Sequence, residues 1–225
     1  MKFSKCVICN QRAATTKDHI PPKGIFAKPR PNNLITVPAC SKCNNELSGL
    51  DERFKVYLGL HVGASGGQAQ EFFRNEALRT LDHNRKLRHE ILSKLEPVYL
   101  ATSGGIIYDE GYRIPWDSRT HDLIVERIVR GLYYHHFGNI LGDLVRIKVY
   151  WFRKLTPEMV EMSNDWNVYS FGKGEITYRY GRANESPLHS LWIFQFYGAH
   201  WAGGYTEPKQ QETNMPFQPT GYRGG

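Results

Sequence analysis

Two short cysteine pairs, CVIC at 6–9 and CSKC at 40–43, contain all four cysteines of this 225-residue chain. They limit how it folds more than any other feature. A C-x-x-C turn presents two sulfurs to one ion, and two such turns complete a tetrahedral, all-thiolate site of the kind that holds zinc. A disulfide framework is the weaker reading for a chain expected in a reducing compartment. Cys6, Cys9, Cys40 and Cys43 are therefore expected to bind a structural Zn2+. With every coordination position filled by protein, such a site holds structure and does no chemistry. The first 55 or so residues are too few to build a sizeable core alone, so the ion would supply much of their folding free energy.

The segment held between the pairs reads TTKDHIPPKGIFAKPRPNNLITVPAC. Thr15, Thr16, His19 and Ile20 suggest a short strand that Pro21 and Pro22 stop. LITV at 34–37 suggests a second, ended by Pro38. Beyond the second pair, Leu47, Leu50, Phe54 and Tyr57/Leu58 fall at helical spacing. The expected local order is strand, loop, strand, helix, with zinc at the base. Residues 1–55 carry ten Lys or Arg against four Asp or Glu, which is +6 of the chain's +7. A basic excess confined to one segment is the electrostatic footprint of contact with a phosphate backbone, and Lys23, Lys28 and Arg30 on the proline-rich loop are its candidate contacts. Thiolates bound to zinc would lower that local balance.

DHI at 18–20, Asn33-Leu34 and Cys43-Asn44 together resemble the signature of the HNH endonucleases, the ββα-metal or His-Me finger fold. Many members of that family carry the same flanking C-x-x-C knuckles. The resemblance covers residues 4–58, about a quarter of the chain. It implies that His19 is the general base that takes a proton from the attacking water. It implies that Asp18 and Asn44 bind a catalytic Mg2+ or Mn2+, and that Asn33 orients the histidine and its loop. Asn32 and Asn45 are one-residue alternatives to Asn33 and Asn44. The residue types suit phosphodiester hydrolysis: a neutral imidazole accepts a proton near its ordinary pKa of ~6.5, and a hard cation prefers carboxylate and amide oxygens. One geometric condition follows. Neighbours on a strand point to opposite sides, so Asp18 and His19 serve one phosphate only if the strand ends or twists there.

The rest of the chain shows no internal repeat. GASGG at 63–67 reads as a flexible break. Residues 68–95 read as a helix ended by Pro97, and 119–140 as a second long helix. From 143 the period shortens to two: DLVRIKVYWF, WNVYSF, EITYRY and LHSLWIFQFYG read as strands, with LWIFQFYG apolar on both faces and therefore central. The expected fold is α+β: a zinc-stabilised ββα module (1–62), then two long helices and a small antiparallel sheet (68–205), then a disordered Pro- and Gly-rich tail (206–225). His135 and His136 lack a ligand partner at metal spacing and read as structural. The sheet aromatics read first as core and second as stacking surfaces.

No apolar run approaches the ~20 residues that span a bilayer, and the N-terminus lacks the apolar stretch of a signal peptide, so a cytoplasmic protein is expected. The implied activity is metal-dependent endonuclease cleavage of DNA, with RNA an alternative substrate. Targeting, dimerisation or sensing is left for the C-terminal part. Two rivals stand beside it: a zinc-stabilised nucleic-acid-binding module without catalysis, and a zinc scaffold for protein contacts.

Overall fold

The computed structural model describes residues 5–209. Its architecture is mixed, with helices packed between a small hairpin and an antiparallel sheet. β1 (Thr16–Ile20) pairs antiparallel with β2 (Ile35–Ala39), setting Asp18 opposite Val37 and His19 opposite Thr36. β2 runs through Pro38 to Ala39 instead of stopping at Pro38. The hairpin has only two strands, so the N–H that proline lacks falls where an edge tolerates it. Immediately after β2, Cys40 caps the short helix α1 (Ser41–Glu46), its sulfur accepting from the Cys43 backbone N–H at 3.4 Å. α2 (Ser48–Val62) follows and buries Phe54, Leu58 and Val62.

The stretch expected as one helix over 68–95 is divided. α3 (Gly67–Phe72) passes through a wider π-type stretch (Phe73–Leu78) into α4 (Arg79–His83). Asn84 then leaves helical geometry and caps α5 (Arg85–Leu92), its side chain accepting from the Leu87 N–H at 3.0 Å. Asparagine competes with backbone bonding in a helix interior and favours caps, which accounts for the break. A hairpin unforeseen in the sequence comes next: β3 (Glu96–Ala101) with β4 (Ile107–Arg113). Its Tyr99, Ile107, Tyr108 and Tyr112 are exposed, so no burial pattern announces it.

α6 (Ser118–Phe137) is the central element, close to the expected second helix. Ile124, Val125, Ile128, Val129, Leu132 and Tyr133 are buried on nearly every side of it, as in a helix enclosed by protein. Beyond it lie β5 (Val145–Phe152), α7 (Pro157–Ser163), β6 (Tyr169–Phe171), β7 (Ile176–Arg182), β8 (Ser190–Phe196) and β9 (His200–Pro208). The strands form one antiparallel sheet in the order β5-β9-β8-β7-β6, which places β8 at its centre as its two apolar faces imply. β9 escaped the sequence reading because its middle, Ala202-Gly203-Gly204, looks like a turn. Its end also carries 206–208 into the sheet, residues expected in the tail; the tail from 210 lies outside the described residues.

Two close approaches lock α6 in place. A Cβ on Gly204 of β9 would lie 2.6 Å from Val129 Cγ2, and one on Gly131 of α6 would lie 2.8 Å from Ile20 Cγ2 on β1. Helix and strands therefore meet at backbone distance on both sides. The division into a 1–62 module and a 68–205 domain is not how the core is organised. Val7, Ile20, Phe26 and Phe54 share one hydrophobic cluster with Ile128, Trp192 and Phe194. The reason is that β1 and α2 present apolar faces that only α6 and the sheet can cover. Among the described residues no helix is long and apolar enough to cross a membrane.

Gly131→Val should drive a branched side chain into Ile20 and cost about 1–3 kcal/mol. A lowered urea midpoint with unchanged transition slope checks this.

Candidate functional site

The four cysteines converge. Their sulfurs all lie within 4.8 Å of one another, and Cys6, Cys40 and Cys43 are buried. Tetrahedral zinc with Zn–S near ~2.3 Å sets its sulfurs ~3.8 Å apart, so the donor set fits a zinc ion. Local backbone bonds shape both turns. In the first, Asn10 adopts φ 51° and its N–H donates to the Cys6 carbonyl at 2.8 Å. In the second, the Asn44 N–H donates to the Cys40 carbonyl at 3.1 Å. Arg12, unremarked in the sequence, donates from Nε to Cys40 Sγ at 3.2 Å and from Nη2 to Cys43 Sγ at 3.5 Å. Burial raises the Cys40 thiol, but the Arg12 guanidinium and the Cys43 N–H outweigh this and draw it down to about 6. Thiolate is the form that binds metal.

Asp18 and His19 do not converge. β1 stays regular through Ile20, so Asp18 and Ile20 point inward while His19 lies on the opposite, partly open face with Lys17. Asp18 is 2% exposed and spends both carboxylate oxygens on Arg127 of α6. Arg127 Nε donates to Oδ2 at 2.6 Å and Nη2 donates to Oδ1. The third donor, Nη1, reaches Asp51 Oδ1 of α2 at 2.6 Å. Asp18 as a ligand of catalytic Mg2+ or Mn2+ is thus corrected: a buried cation already occupies its oxygens, and a divalent ion would have to displace it. The pair Asp18 and Asn44 does not fit that metal here.

Asn44 does face β1. Its Nδ2 lies 3.4 Å from both Thr16 Oγ1 and the Lys17 carbonyl, which fixes α1 against the strand. Asn33 is also reassigned. Its Nδ2 donates to the Ser170 carbonyl at 3.1 Å and its Oδ1 accepts from the Gly172 N–H at 3.0 Å. The amide that was to orient His19 instead fastens the loop to the β6–β7 turn. A second tie, Tyr197 Oη donating to the Ile25 carbonyl at 2.7 Å, holds the same loop to the sheet.

His19 keeps a distinct environment. Burial lowers its pKa, and the positive charges of Lys23, Arg30 and Arg127 lower it further against the opposing pull of Asp18. Lys23, Lys28 and Arg30 are exposed, and the Arg30 Nε–H donates to the Lys23 carbonyl at 3.0 Å, bending the loop back on itself. Lys28 also lines a polar cleft of about 500 Å³ with Lys55, Arg79, Arg85, Glu52 and Glu76. Basic side chains from α2, α4 and α5 therefore extend the loop's positive surface. His136 is structural, its Nε2 lying 2.9 Å from Tyr178 Oη.

Arg127 was missed, although a signal for it exists. An arginine inside the apolar run Ile124-Val125-Ile128-Val129 can only be buried if acids meet it. Asp51 is its companion. Two carboxylates share one guanidinium, so one negative charge is left over, and burial, chiefly, pushes Asp51 up to about 6. No family model, no curated protein and no solved structure matches the chain.

Protein purified without chelators should carry about one zinc per chain, and Cys40→Ser should lose both the metal and the local fold. Elemental analysis and near-UV circular dichroism check this. Arg127→Met leaves the buried Asp18 and the half-buried Asp51 without a cation and should cost ~3–5 kcal/mol, read by urea denaturation. Asp51 has a folded pKa above its unfolded value, so its contribution to stability is present below pH 4 and is lost as pH rises through about 6. Asp51→Asn should therefore gain on the wild type between pH 4 and 7, by at most ~3 kcal/mol.

Proposed function

We propose that the chain is a zinc-stabilised, nucleic-acid-directed hydrolase of the HNH type, with DNA as the substrate class and His19 as the proton acceptor. One observation carries the reading. The hairpin β1–β2 with α1 behind it, clamped by the four-cysteine cluster, presents a partly open imidazole flanked by the exposed cations Lys23 and Arg30. The local +6 balance supplies the long-range attraction for a phosphate backbone.

In this reading water attacks a phosphodiester lying along the loop, the neutral imidazole of His19 takes its proton, and the P–O bond to the leaving sugar oxygen breaks as that oxygen takes a proton from solvent. The lowered pKa of His19 keeps that imidazole neutral at pH 7. Lys23 and Arg30 hold the non-bridging oxygens, where negative charge grows in the transition state. Asp18 acts at a distance, through the ion pair with Arg127 that fixes β1 against α6. The same ion pair favours a second reading, a zinc-stabilised module that binds nucleic acid without cutting it, because it removes the carboxylate that the resemblance assigns to the metal.

Plasmid and linear DNA incubated with and without Mg2+ or Mn2+ separate the two readings. His19→Ala should lower cleavage by ~10²–10⁴ and leave zinc content and DNA affinity intact. Cleavage should rise with pH and level off, its midpoint below the ordinary histidine value of ~6.5 because the folded pKa is depressed. Asp18→Asn should cost stability first; a selective fall in metal affinity at unchanged stability would restore Asp18 as a ligand. DNA binding without cleavage under every metal condition would leave the binding module as the function.

A further inference from the structure

We infer that a second site, at the C-terminal end of α2, receives one unstacked nucleobase, with the attached phosphate directed to Arg153. The site is a cavity of about 450 Å³ where α2, the approach to α6, the end of β5 and the start of β9 meet. Its walls include His61, Trp116, Trp151, Phe152 and His200, with Arg153 exposed at its edge. That volume lies within the range of small-ligand pockets.

The wall is built of rings in fixed positions. His200 lies 4.4 Å from His61, 4.9 Å from Trp151 and 5.3 Å from Trp116, measured between ring centres. Trp151 Nε1 donates to Asp122 Oδ1 at 2.8 Å, which holds its indole against α6. Behind Trp116 lies His121, fully buried with ring centres 3.8 Å apart. Trp116 itself is 42% exposed, which is unusual for an indole so closely packed and leaves part of the ring open. Aromatic faces stack on bases of every kind.

Polarity narrows the occupant. Burial holds His121 down to about 4 and His200 to about 3, so both rings are neutral at pH 7. Nδ1 of His121 lies 2.6 Å from the Asp117 carbonyl and must donate to it, which makes Nε2 a bare acceptor. That Nε2, and Nε2 of His200, are buried without a protein partner. Of the two rings only His200 lines the cavity, His121 lying behind Trp116. The unmet ring nitrogen of His200 disfavours an aliphatic occupant, whereas a nucleobase brings both N–H donors and ring acceptors. The cation at the rim disfavours a quaternary ammonium, which an aromatic cage would otherwise suit, and favours a phosphate. The inference rests on the nucleic-acid reading only for its source: the same base and phosphate come from a single strand or from a free mononucleotide.

The test uses full-length protein carrying His19→Ala, so that cleavage does not intervene, with fluorescein-labelled single strands, the matching duplex, and AMP or UMP as separate arms. Single strands should bind more tightly than the duplex. Trp116→Ala should weaken single-strand binding ~5- to 150-fold, Trp116→Phe should retain most of it, and Arg153→Ala should flatten the log–log salt slope by ~0.7. Saturating AMP or UMP binding that depends on Trp116, with no gain for longer strands, supports the site with a free nucleotide as its occupant. Unchanged affinity of natively folded Trp116→Ala for strands and mononucleotides alike overturns it, as does preferential binding of tetramethylammonium. Failure of the hydrolase reading shows separately, as wild-type protein that binds DNA without cutting it under every metal condition.

Discussion

A guanidinium with three donors aimed at two carboxylates joins the parts of this protein that are far apart in sequence. Arg127 of α6 engages Asp18 of β1 and Asp51 of α2, and both Arg127 and Asp18 are nearly sealed from water. A buried charge without a partner is costly enough that the three side chains tolerate few other arrangements. With Gly131 letting α6 approach Ile20 at backbone distance, the ion pair fixes the cysteine-clamped hairpin on the central helix. The hairpin is therefore oriented from two ends, by the cysteine cluster at its base and by Arg127 beneath its middle.

This arrangement separates two neighbours that the sequence places side by side. In β1 the pleat sends Asp18 inward and His19 outward, so the acid contributes to cohesion and the imidazole meets the surface. The loop between β1 and β2 is pinned through Asn33 and Ile25 to turns of the five-stranded sheet. Lys23 and Arg30 are held near His19 by contacts that originate more than a hundred residues away. The sheet is thus part of the support for the candidate site, and its removal would release the loop that carries the cations.

The two candidate sites differ in physical character. Around His19 the surface is basic, open and built on a loop, suited to a backbone that is recognised by charge. Around His200 it is aromatic, concave and built on helix and strand ends, suited to a flat ring recognised by shape. Both hold neutral imidazoles, with burial the largest cause at each; at His19 nearby cations add to it.

The sequence alone determined the features governed by short-range pattern. Two C-x-x-C turns specify a four-sulfur cluster, and alternation in DLVRIKVYWF and the short apolar run of LWIFQFYG specify strands, whatever surrounds them. The helical periods of Leu47–Leu58 and 119–140 were equally legible, and the helices lie at Ser48–Val62 and Ser118–Phe137. Features set by distant partners were not. Asp18 reads as a free acid until Arg127 is seen beneath it, and Asn33 reads as a site residue until its amide is found on the β6–β7 turn. The β3–β4 hairpin has no buried face to impose a pattern, and β9 hides behind Gly203-Gly204, the second of which the close approach of Val129 requires. The aromatic cavity draws on residues 61, 116, 151 and 200, which no local window contains. Tertiary structure decided these because a side chain's role depends on which charge or ring it faces, and only the folded chain brings those groups together.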